Sequence, residues 1–244
     1  MKLIIDFGNT LKKIAVFDKN KLVQLYTYEE FNICVLKEIV EKHPKINSAI
    51  ISSVINYPKE IDDFLTTNFF FIKLNSETHI PITNRYESPK TLGNDRIAAV
   101  VAASNKFENK NLLVIDAGSC ITYDFINKDK EYLGGAISPG IRLRFKSLNS
   151  FTDKLPLLTP QNIDYLIGKT TQESILSGIV NGITAELDGI IDSYKEIYKD
   201  LTIIMSGGDH YYFDKRLKNN IFALPNIVLL GLNIILDFNE IEKK

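Results

Sequence analysis

The chain begins with LIIDFGNT at residues 3–10 and repeats this pattern as LVIDAGSC at residues 113–120. Each copy is a short apolar run that ends in Asp, with Gly two residues later and a small residue after it. An apolar run of this length predicts a buried β-strand, and a following Gly permits a tight turn. The repeat therefore predicts an α/β fold built by duplication. In each half, a strand brings an acidic side chain and backbone amides to the edge of a sheet.

The repeat extends beyond these two octapeptides. KIAVFD at residues 13–18 and ITYDFI at residues 121–126 predict a second strand in each half, and a turn and a third strand follow in both. Polar residues at 106–111 separate two apolar blocks, so we predict domains at 1–108 and 109–244. Two such units that face each other would form a cleft able to hold a metal–phosphate ligand from both sides, as expected of a nucleotide-dependent phosphotransferase.

Four other segments carry structural predictions. The run FFFI at residues 69–72 indicates a strand buried on both faces, and GGAISPG at residues 134–140 indicates a loop. Apolar residues keep helical spacing over residues 171–198, which predicts a long amphipathic helix. We expect a short strand near residues 227–229, followed by a closing helix.

Composition argues against several classes of protein. The 244 residues hold 29 Lys and Arg against 30 Asp and Glu, and a net charge of −1 gives no electrostatic case for nucleic acid or membrane partners. The apolar stretch at residues 227–236 is too short to span a bilayer, and we expect no signal peptide because the chain enters a strand at once. Cys34 and Cys120 stand far apart and the 3 histidines are scattered, which disfavours a zinc site and favours a cytoplasmic location.

The first candidate site is the turn at residues 6–13, DFGNTLKK. Gly8 permits the turn, Asn9 and Thr10 can donate to phosphate oxygens, and Lys13 can reach them as a point charge. The alternative is a plain hairpin turn, since Gly-Asn is common in turns. The matching acid in the second copy favours a functional site.

The second candidate is DAGS at residues 116–119. A carboxylate at a strand end beside hydroxyl groups suits a hard cation that prefers oxygen ligands. The alternative is an Asx turn that caps the strand. The pairing of Asp116 with Asp6 makes the functional interpretation the better one.

The third candidate is GNDR at residues 93–96, at the start of a predicted helix. Free amides and the positive end of the helix dipole favour an anion there. Arg96 could hold a carboxylate or a phosphate, and Asp95 could accept the proton of an attacking hydroxyl. The alternative is an ordinary helix N-cap formed by Asn-Asp.

Two weaker signals remain in the second half. Thr171 and its neighbours at residues 168–174 either cap the long helix or place hydroxyl groups in a ligand pocket. SGG at residues 206–208 either lets a flat ring or a ribose approach the backbone or forms a plain turn between a strand and a helix.

Taken in this order, these motifs and the loop at residues 134–140 resemble those of the bacterial type III pantothenate kinases over essentially the whole chain. The resemblance implies two ribonuclease H-like domains related by duplication, with an ATP cleft between them. This is the fold of sugar and acetate kinases, heat-shock chaperones and actin. It also implies ATP-dependent phosphorylation of pantothenate to 4'-phosphopantothenate, the first step of coenzyme A biosynthesis.

The resemblance also implies roles for individual residues. Asp95 would be the general base on the primary hydroxyl of pantothenate, and Asp116 would help to hold a monovalent cation. Residue 119 is Ser where the family usually has Thr, and the hydroxyl group remains. The expected ATP-binding residues are Asp6, Phe7, Gly8, Asn9, Thr10, Leu11, Lys12, Lys13 and Ser119, and the expected pantothenate-binding residues are Tyr86, Gly93, Asn94, Asp95, Arg96 and Thr171.

Cofactors and assembly follow from the same resemblance. The family uses Mg²⁺ with ATP and needs K⁺ or NH₄⁺ as well. It implies a homodimer in which Thr171 contacts pantothenate bound to the neighbouring subunit. An apolar face on the long helix fits either a dimer seam or packing inside the second domain.

Rival functions stay open at this point. A non-catalytic, ATP-binding transcriptional regulator of the same family would have little use for the base Asp95. Chaperones and actin-like ATPases are much longer chains with inserted subdomains. Another small-molecule kinase, such as a sugar kinase, would have less use for Arg96 as a partner for a substrate carboxylate.

Overall fold

A computed structural model describes residues 1–213 and 215–242, so that Asp214 and the last two lysines of the predicted tail lie outside the described residues. Two compact units emerge from the pattern of backbone contacts. The first comprises Met1–Glu108, Lys130–Tyr132 and the chain from Asn226 onward, and the second comprises Asn109–Asp129 and Leu133–Pro225.

The first unit is built on a five-stranded sheet in the order β3-β2-β1-β4-β5. β1 pairs antiparallel with β2 and parallel with β4. One face of the sheet carries an apolar core to which α1 and α2 contribute. The elements of this unit that precede the second half are β1 (Lys2–Phe7), β2 (Lys12–Asp18), β3 (Lys21–Tyr28), α1 (Ile33–Lys42), β4 (Ser48–Ser53), α2 (Lys59–Asn68), β5 (Phe70–Lys73), β6 (Thr83–Asn84) and α3 (Asn94–Lys106).

The second half is built on a sheet of order β11-β10-β7-β8-β9-β6. Strand β6 pairs with Glu131 and Tyr132, the part of β9 that belongs to the first unit. The core of the second unit packs α5 against strands β7, β8 and β10. The remaining elements are β7 (Asn111–Ala117), β8 (Cys120–Ile126), β9 (Glu131–Pro139), α4 (Ile141–Ser150), α5 (Thr171–Ile197), β10 (Leu201–Ser206), β11 (Phe222–Ala223) and α6 (Ile227–Glu242).

The two sheets repeat one pattern of strand pairing. β7 pairs antiparallel with β8 and parallel with β10, as β1 does with β2 and β4. Residues 3–10 and 113–120 also share the same succession of buried, half-buried and exposed positions. The duplication predicted from the octapeptides is therefore present in pairing and burial as well as in residue type.

Three local predictions were wrong. Residues 134–139 belong to strand β9 and not to a loop. Residues 227–229 form the first turn of α6, and the short strand lies earlier, at Phe222–Ala223. β5 is only partly buried because it lies at the edge of its sheet, so residues 69–72 are not covered on both faces.

The closing helix α6 packs in the first unit, where it contacts α3, β1 and β4. Its Asn233 is buried and donates to the Lys19 carbonyl, while Lys2 of β1 pairs with Asp237. The compact units therefore differ from the predicted domains in where the chain after residue 225 belongs.

Among the described helices, α5 alone is long and apolar enough to cross a bilayer by length and composition. Its apolar side chains from Ile175 to Ile191 lie in the core of the second unit. A core helix of a soluble protein has the same composition, so this helix is weak support for a membrane span.

Candidate active site

The first predicted phosphate turn joins β1 to β2. Asp6 lies directly opposite Lys13 on β2 and beside Ser52 on the parallel strand β4, so these side chains share one face of the sheet. The Gly8 amide donates to the Leu11 carbonyl at 3.1 Å and closes the turn. Asn9 and Thr10 are exposed at its tip. The turn thus combines a carboxylate and an ammonium group with two exposed polar side chains.

Two residues of this turn do not present their side chains at its tip. Phe7 is buried, with its ring centroid 5.3 Å from that of Phe31 and 5.2 Å from that of Tyr57. Lys12 Nζ donates to the Glu29 carbonyl at 2.9 Å. Phe7 can therefore serve a ligand only through its backbone, whereas Lys13 is the lysine whose side chain neighbours Asp6.

The second predicted turn joins β7 to β8 and repeats the first. Asp116 lies opposite Thr122 on β8 and beside Ser206 on the parallel strand β10. The Gly118 amide donates to the Cys120 carbonyl at 2.9 Å, and Ser119 is exposed. Each half therefore places an aspartate beside a serine of the neighbouring parallel strand.

Two glycines let other backbone segments pack directly on the second turn. The Gly140 amide donates to the Ser119 carbonyl at 3.1 Å, and a Cβ at Gly140 would lie 2.2 Å from the Gly118 carbonyl oxygen. Gly207 has a φ of +94°, and a Cβ there would lie 2.1 Å from the Ala117 carbonyl oxygen. Both positions exclude any larger residue, and the backbone at residues 117–119 is held from two sides.

The residues predicted to bind pantothenate in the first unit form one cluster. The Arg96 guanidinium carbon lies 5.7 Å from the centroid of the Tyr86 ring, within the range of a cation–π contact. Tyr86 in turn stacks on Tyr132, with ring centroids 6.1 Å apart. Arg96 is only 5% exposed, so its charge lies inside the unit and not on an open surface.

The start of α3 is not the Asn-Asp N-cap that the sequence left as an alternative. Gly93 is the N-cap and has no side chain to cap the helix, while Asn94 and Asp95 already lie within the first turn. Asn94 Nδ2 donates to the Leu74 carbonyl at 2.9 Å. Asp95 Oδ1 accepts from the Arg96 amide at 2.9 Å. The Asn-Asp pair is therefore not the N-cap, and the half-buried Asp95 carboxylate lies at the positive end of the helix dipole.

Thr171 is not the capping residue of α5. The cap is Thr170, whose hydroxyl oxygen accepts from the Glu173 amide at 3.2 Å, and Glu173 accepts from the Lys169 amide at 2.7 Å. Thr171 is exposed at the rim of an apolar groove of about 300 Å³. The groove is lined by Leu148, Leu155, Thr171, Ser174, Ile175, Gly178 and Ile179. The exposed Thr171 hydroxyl group is thus available to a ligand.

No sequence pattern singled out the carboxylate of Asp209 or a hydrogen-bonded network centred on Glu186 of α5. Asp209 is buried beside the second turn, and its amide donates to the Ala117 carbonyl at 2.9 Å. Burial raises the pKa of its carboxyl group, which Arg142 at 3.5 Å only partly offsets. The network joins Tyr123, Arg144 and Glu186, which come from three different elements. The turn at residues 206–209 was visible in the sequence, but the contacts that it makes were not.

Metal binding would depend on isolated carboxylates. No group of three or more His, Cys, Asp or Glu side chains able to hold a metal occurs among the residues that the structure describes. Asp6 and Asp116 each offer hard oxygen donors at the end of a strand beside an exposed turn. Either carboxylate by itself fits Mg²⁺, which can be bound through a single carboxylate together with substrate phosphates.

A model of the type III pantothenate kinase family matches residues 2–193. The chain belongs to this family. A relative from Christiangramia forsetii, named type III pantothenate kinase, is 47% identical over 99% of this chain and 100% of its own length. The predicted family is therefore confirmed, and the chain is a kinase.

Solved structures show the same fold at low sequence identity. A Campylobacter jejuni structure, named as a Baf family transcriptional activator, has a TM-score of 0.59 and 23% identity over 98% of each chain. An inorganic polyphosphate/ATP-glucomannokinase from Arthrobacter has a TM-score of 0.54 and 14% identity over 98% of this chain and 100% of its own. With the duplicated sheets, these likenesses confirm the α/β fold of two ribonuclease H-like halves.

Proposed function

We propose that this chain transfers the γ-phosphoryl group of ATP to the primary hydroxyl of pantothenate and so forms 4'-phosphopantothenate, the first step of coenzyme A biosynthesis. The observation that carries this proposal is the full-length membership of the type III pantothenate kinase family. The repeated aspartate turns alone would fit any kinase of this fold.

The proposed ATP-binding residues are those of the first turn, from Asp6 to Lys13, together with Ser119 of the second. The exposed Asn9 and Thr10 and the neighbouring Lys13 supply donors and positive charge for phosphate oxygens. For Phe7, only the backbone takes part, because its ring is buried. Lys12 is the weakest member of the set, since its ammonium group already donates to Glu29.

The proposed cations are Mg²⁺ with ATP and one K⁺ or NH₄⁺ ion. Asp6 and Asp116 would be their protein carboxylates, with Asp116 serving the monovalent ion. Bound Mg²⁺ neutralises charge on the phosphates during phosphoryl transfer. The support for both sites is the equivalent position of the two carboxylates at the ends of β1 and β7.

The proposed pantothenate site is the cluster around the start of α3. Asp95 accepts the proton of the attacking hydroxyl, as the aspartate of other phosphotransferases does. Gly93 and Asn94 contribute the half-buried start of the helix, and Tyr86 and Arg96 form the wall beside it. A buried guanidinium suits the carboxylate of pantothenate, because charge-assisted hydrogen bonds strengthen away from water.

We further propose a cytoplasmic homodimer in which Thr171 completes the pantothenate site of the partner subunit. The support is an exposed hydroxyl beside an apolar groove, near apolar side chains that are largely exposed in the single chain. These side chains are Phe151, Leu157, Leu166 and Ile167. The near-neutral charge gives no reason to propose nucleic acid or membrane partners, and the regulator alternative is not favoured.

The experiment is an ATP-dependent phosphorylation assay across pantothenate, pantetheine, N-acetylmannosamine and glucose. Pantothenate should be turned over with the highest kcat/KM. Preference for a sugar would support the rival kinase, and ATP binding without turnover of any acceptor would support the regulator.

A further inference from the structure

Four polar side chains form a network behind the second nucleotide turn. Glu186 of α5 accepts from the Tyr123 hydroxyl at 2.9 Å through one carboxylate oxygen. Through the other it accepts from Arg144 Nη2 at 2.6 Å. The same Nη2 donates to the Ser138 hydroxyl oxygen at 2.9 Å. We call Tyr123, Ser138, Arg144 and Glu186 the Arg144 network.

The ion pair at the centre of the network is largely buried, and its hydrogen bonds shift the pKa values of Glu186 and Tyr123. The Arg144 and Glu186 side chains are 22% and 25% exposed. Burial raises the pKa of Glu186, but hydrogen bonds from Arg144, Ser138 and Tyr123 outweigh burial and hold the pKa below its usual value. The pKa of Tyr123 is raised by burial and by Glu186, so its hydroxyl stays a donor.

Arg144 also hydrogen-bonds to the backbone that leads into α4. Its Nε donates to the Pro139 carbonyl at 2.9 Å, and its amide donates to the Gly140 carbonyl at 3.1 Å. Gly140 lies in direct backbone contact with Gly118 and Ser119. A displacement of the Pro139–Gly140 peptide would therefore be passed on to the turn that carries Ser119.

The opposite side of this turn is also packed directly on backbone. Gly207 is packed against Ala117, where even a Cβ would overlap the backbone. The Asp209 amide adds a hydrogen bond to the Ala117 carbonyl at 2.9 Å. Residues 117–119 thus lie between the turn after β10 and Gly140. A shift of the Gly140 backbone would therefore change the conformation of residues 117–119.

We propose that Arg144, oriented by Glu186, is a positioning residue that sets the shape of the Ala117–Ser119 turn for nucleotide binding. Arg144 does not touch the nucleotide. A planar guanidinium bonded to Glu186, Ser138 and Pro139 is more rigid than a single ammonium contact. The inference rests on the proposed ATP-binding role of this turn, and its test separates the two ideas.

The test uses Arg144→Lys, which keeps the positive charge but lacks the planar guanidinium that bonds to several partners at once. Cys120 directly follows Ser119 and is exposed, so its reaction rate with an aromatic disulfide reagent reports the shape of the turn. The other exposed thiol is removed by Cys34→Ser in every variant. We expect Arg144→Lys to change the Cys120 labelling rate about threefold or more without nucleotide. We expect it to raise the KM for ATP about tenfold and to leave that for pantothenate within about twofold.

The matched control is Arg216→Lys. Arg216 also reaches α5, through Asn181 at 3.5 Å, and bonds to the Ile163 carbonyl of the same unit, and neither of these described bonds involves the turn. Arg216→Lys should leave Cys120 labelling and both KM values unchanged. Tyr123→Phe, which removes one bond to Glu186 and keeps the ring, should give an effect between those of the two lysine variants. It carries the test if Arg144→Lys does not fold.

Two results would overturn the proposal. One is Cys120 labelling and a KM for ATP in Arg144→Lys that match those of Arg216→Lys. The other is an equal rise in both KM values, which indicates a general loss of structure. If ATP fails to protect Cys120 in the otherwise unchanged protein, the nucleotide role of the turn is wrong. The labelling rate without nucleotide still decides whether Arg144 sets its shape.

Discussion

At the residue scale, three aspartates have distinct surroundings that suit distinct tasks. Asp6 lies beside Lys13 and a buried serine at the end of β1, and Asp116 lies beside a threonine and another buried serine at the end of β7. Asp95 stands at the start of a helix and bonds to a backbone amide. The first two environments suit cations and phosphates, whereas the third suits a carboxylate that accepts a proton.

Asp95→Asn should preserve folding and ATP binding but lower kcat by about two orders of magnitude or more, because a proton acceptor is lost. The measurement is steady-state turnover with saturating pantothenate. Asp63→Asn, an exposed change elsewhere in the same unit, is the control and should have no effect. Turnover near that of the unmodified protein in folded Asp95→Asn would remove the base from the mechanism.

The second prediction at this scale concerns Asp116 and the dependence of activity on monovalent cations. At equal ionic strength, activity with Mg²⁺ should rise strongly in K⁺ or NH₄⁺ compared with Na⁺, and Asp116→Asn should abolish that difference. The check is the initial rate in each chloride salt. Equal rates in sodium and potassium would contradict a specific monovalent site.

Residues that act within one short motif could be predicted from the sequence, because their neighbours in the chain are also their neighbours in space. Asp6 with Gly8, and Asp95 with Arg96, are of this kind. The Arg144 network could not be predicted, because Tyr123, Arg144 and Glu186 lie on three elements and no local pattern marks them. The buried Asp209 was hidden for the same reason.

At the element scale, two of the wrong predictions have different physical causes. Residues 227–236 form an apolar run, and such a run fits a buried strand or a buried helix equally well. The glycines of β9 disfavour a strand, but pairing overrides propensity, and Gly135 packs directly on the Tyr123 carbonyl of β8. The long helix α5 was predictable because its apolar residues keep helical spacing, and the strands β1, β4 and β7 because each is a short apolar run bounded by polar or turn residues.

The start of α5 offers a matched pair of adjacent threonines. Thr170→Ala should lower the free energy of unfolding by about 1 kcal/mol through loss of the cap, with little change in kinetics. Thr171→Ala should leave stability unchanged and raise the KM for pantothenate. Denaturant unfolding and steady-state kinetics on both variants check this. The reverse assignment of the two effects would exclude Thr171 from the site.

At the scale of the whole molecule, duplication explains why one strand pattern and one burial pattern occur twice. The sequence predicted this duplication because both copies keep the Asp-x-Gly turn. It did not predict that α6 packs on α3, since an apolar helix carries no mark of its partner. The predicted cleft between the halves and the domain division stay predictions.

Subunit complementation tests the proposed shared site. In a heterodimer of Asp95→Asn and Thr171→Trp chains, a twofold axis would place both lesions in one site and leave the other intact. Mixing the two inactive proteins should therefore restore activity. No recovery despite proven subunit exchange, or full activity of a monomer, would contradict the shared site.

The most direct test of the central claim is the ³¹P NMR spectrum of the product formed from ATP and pantothenate. Transfer to the primary hydroxyl places phosphorus next to two methylene protons, so the account predicts a phosphomonoester signal split into a triplet. A doublet, from the secondary hydroxyl, or inorganic phosphate alone would contradict it.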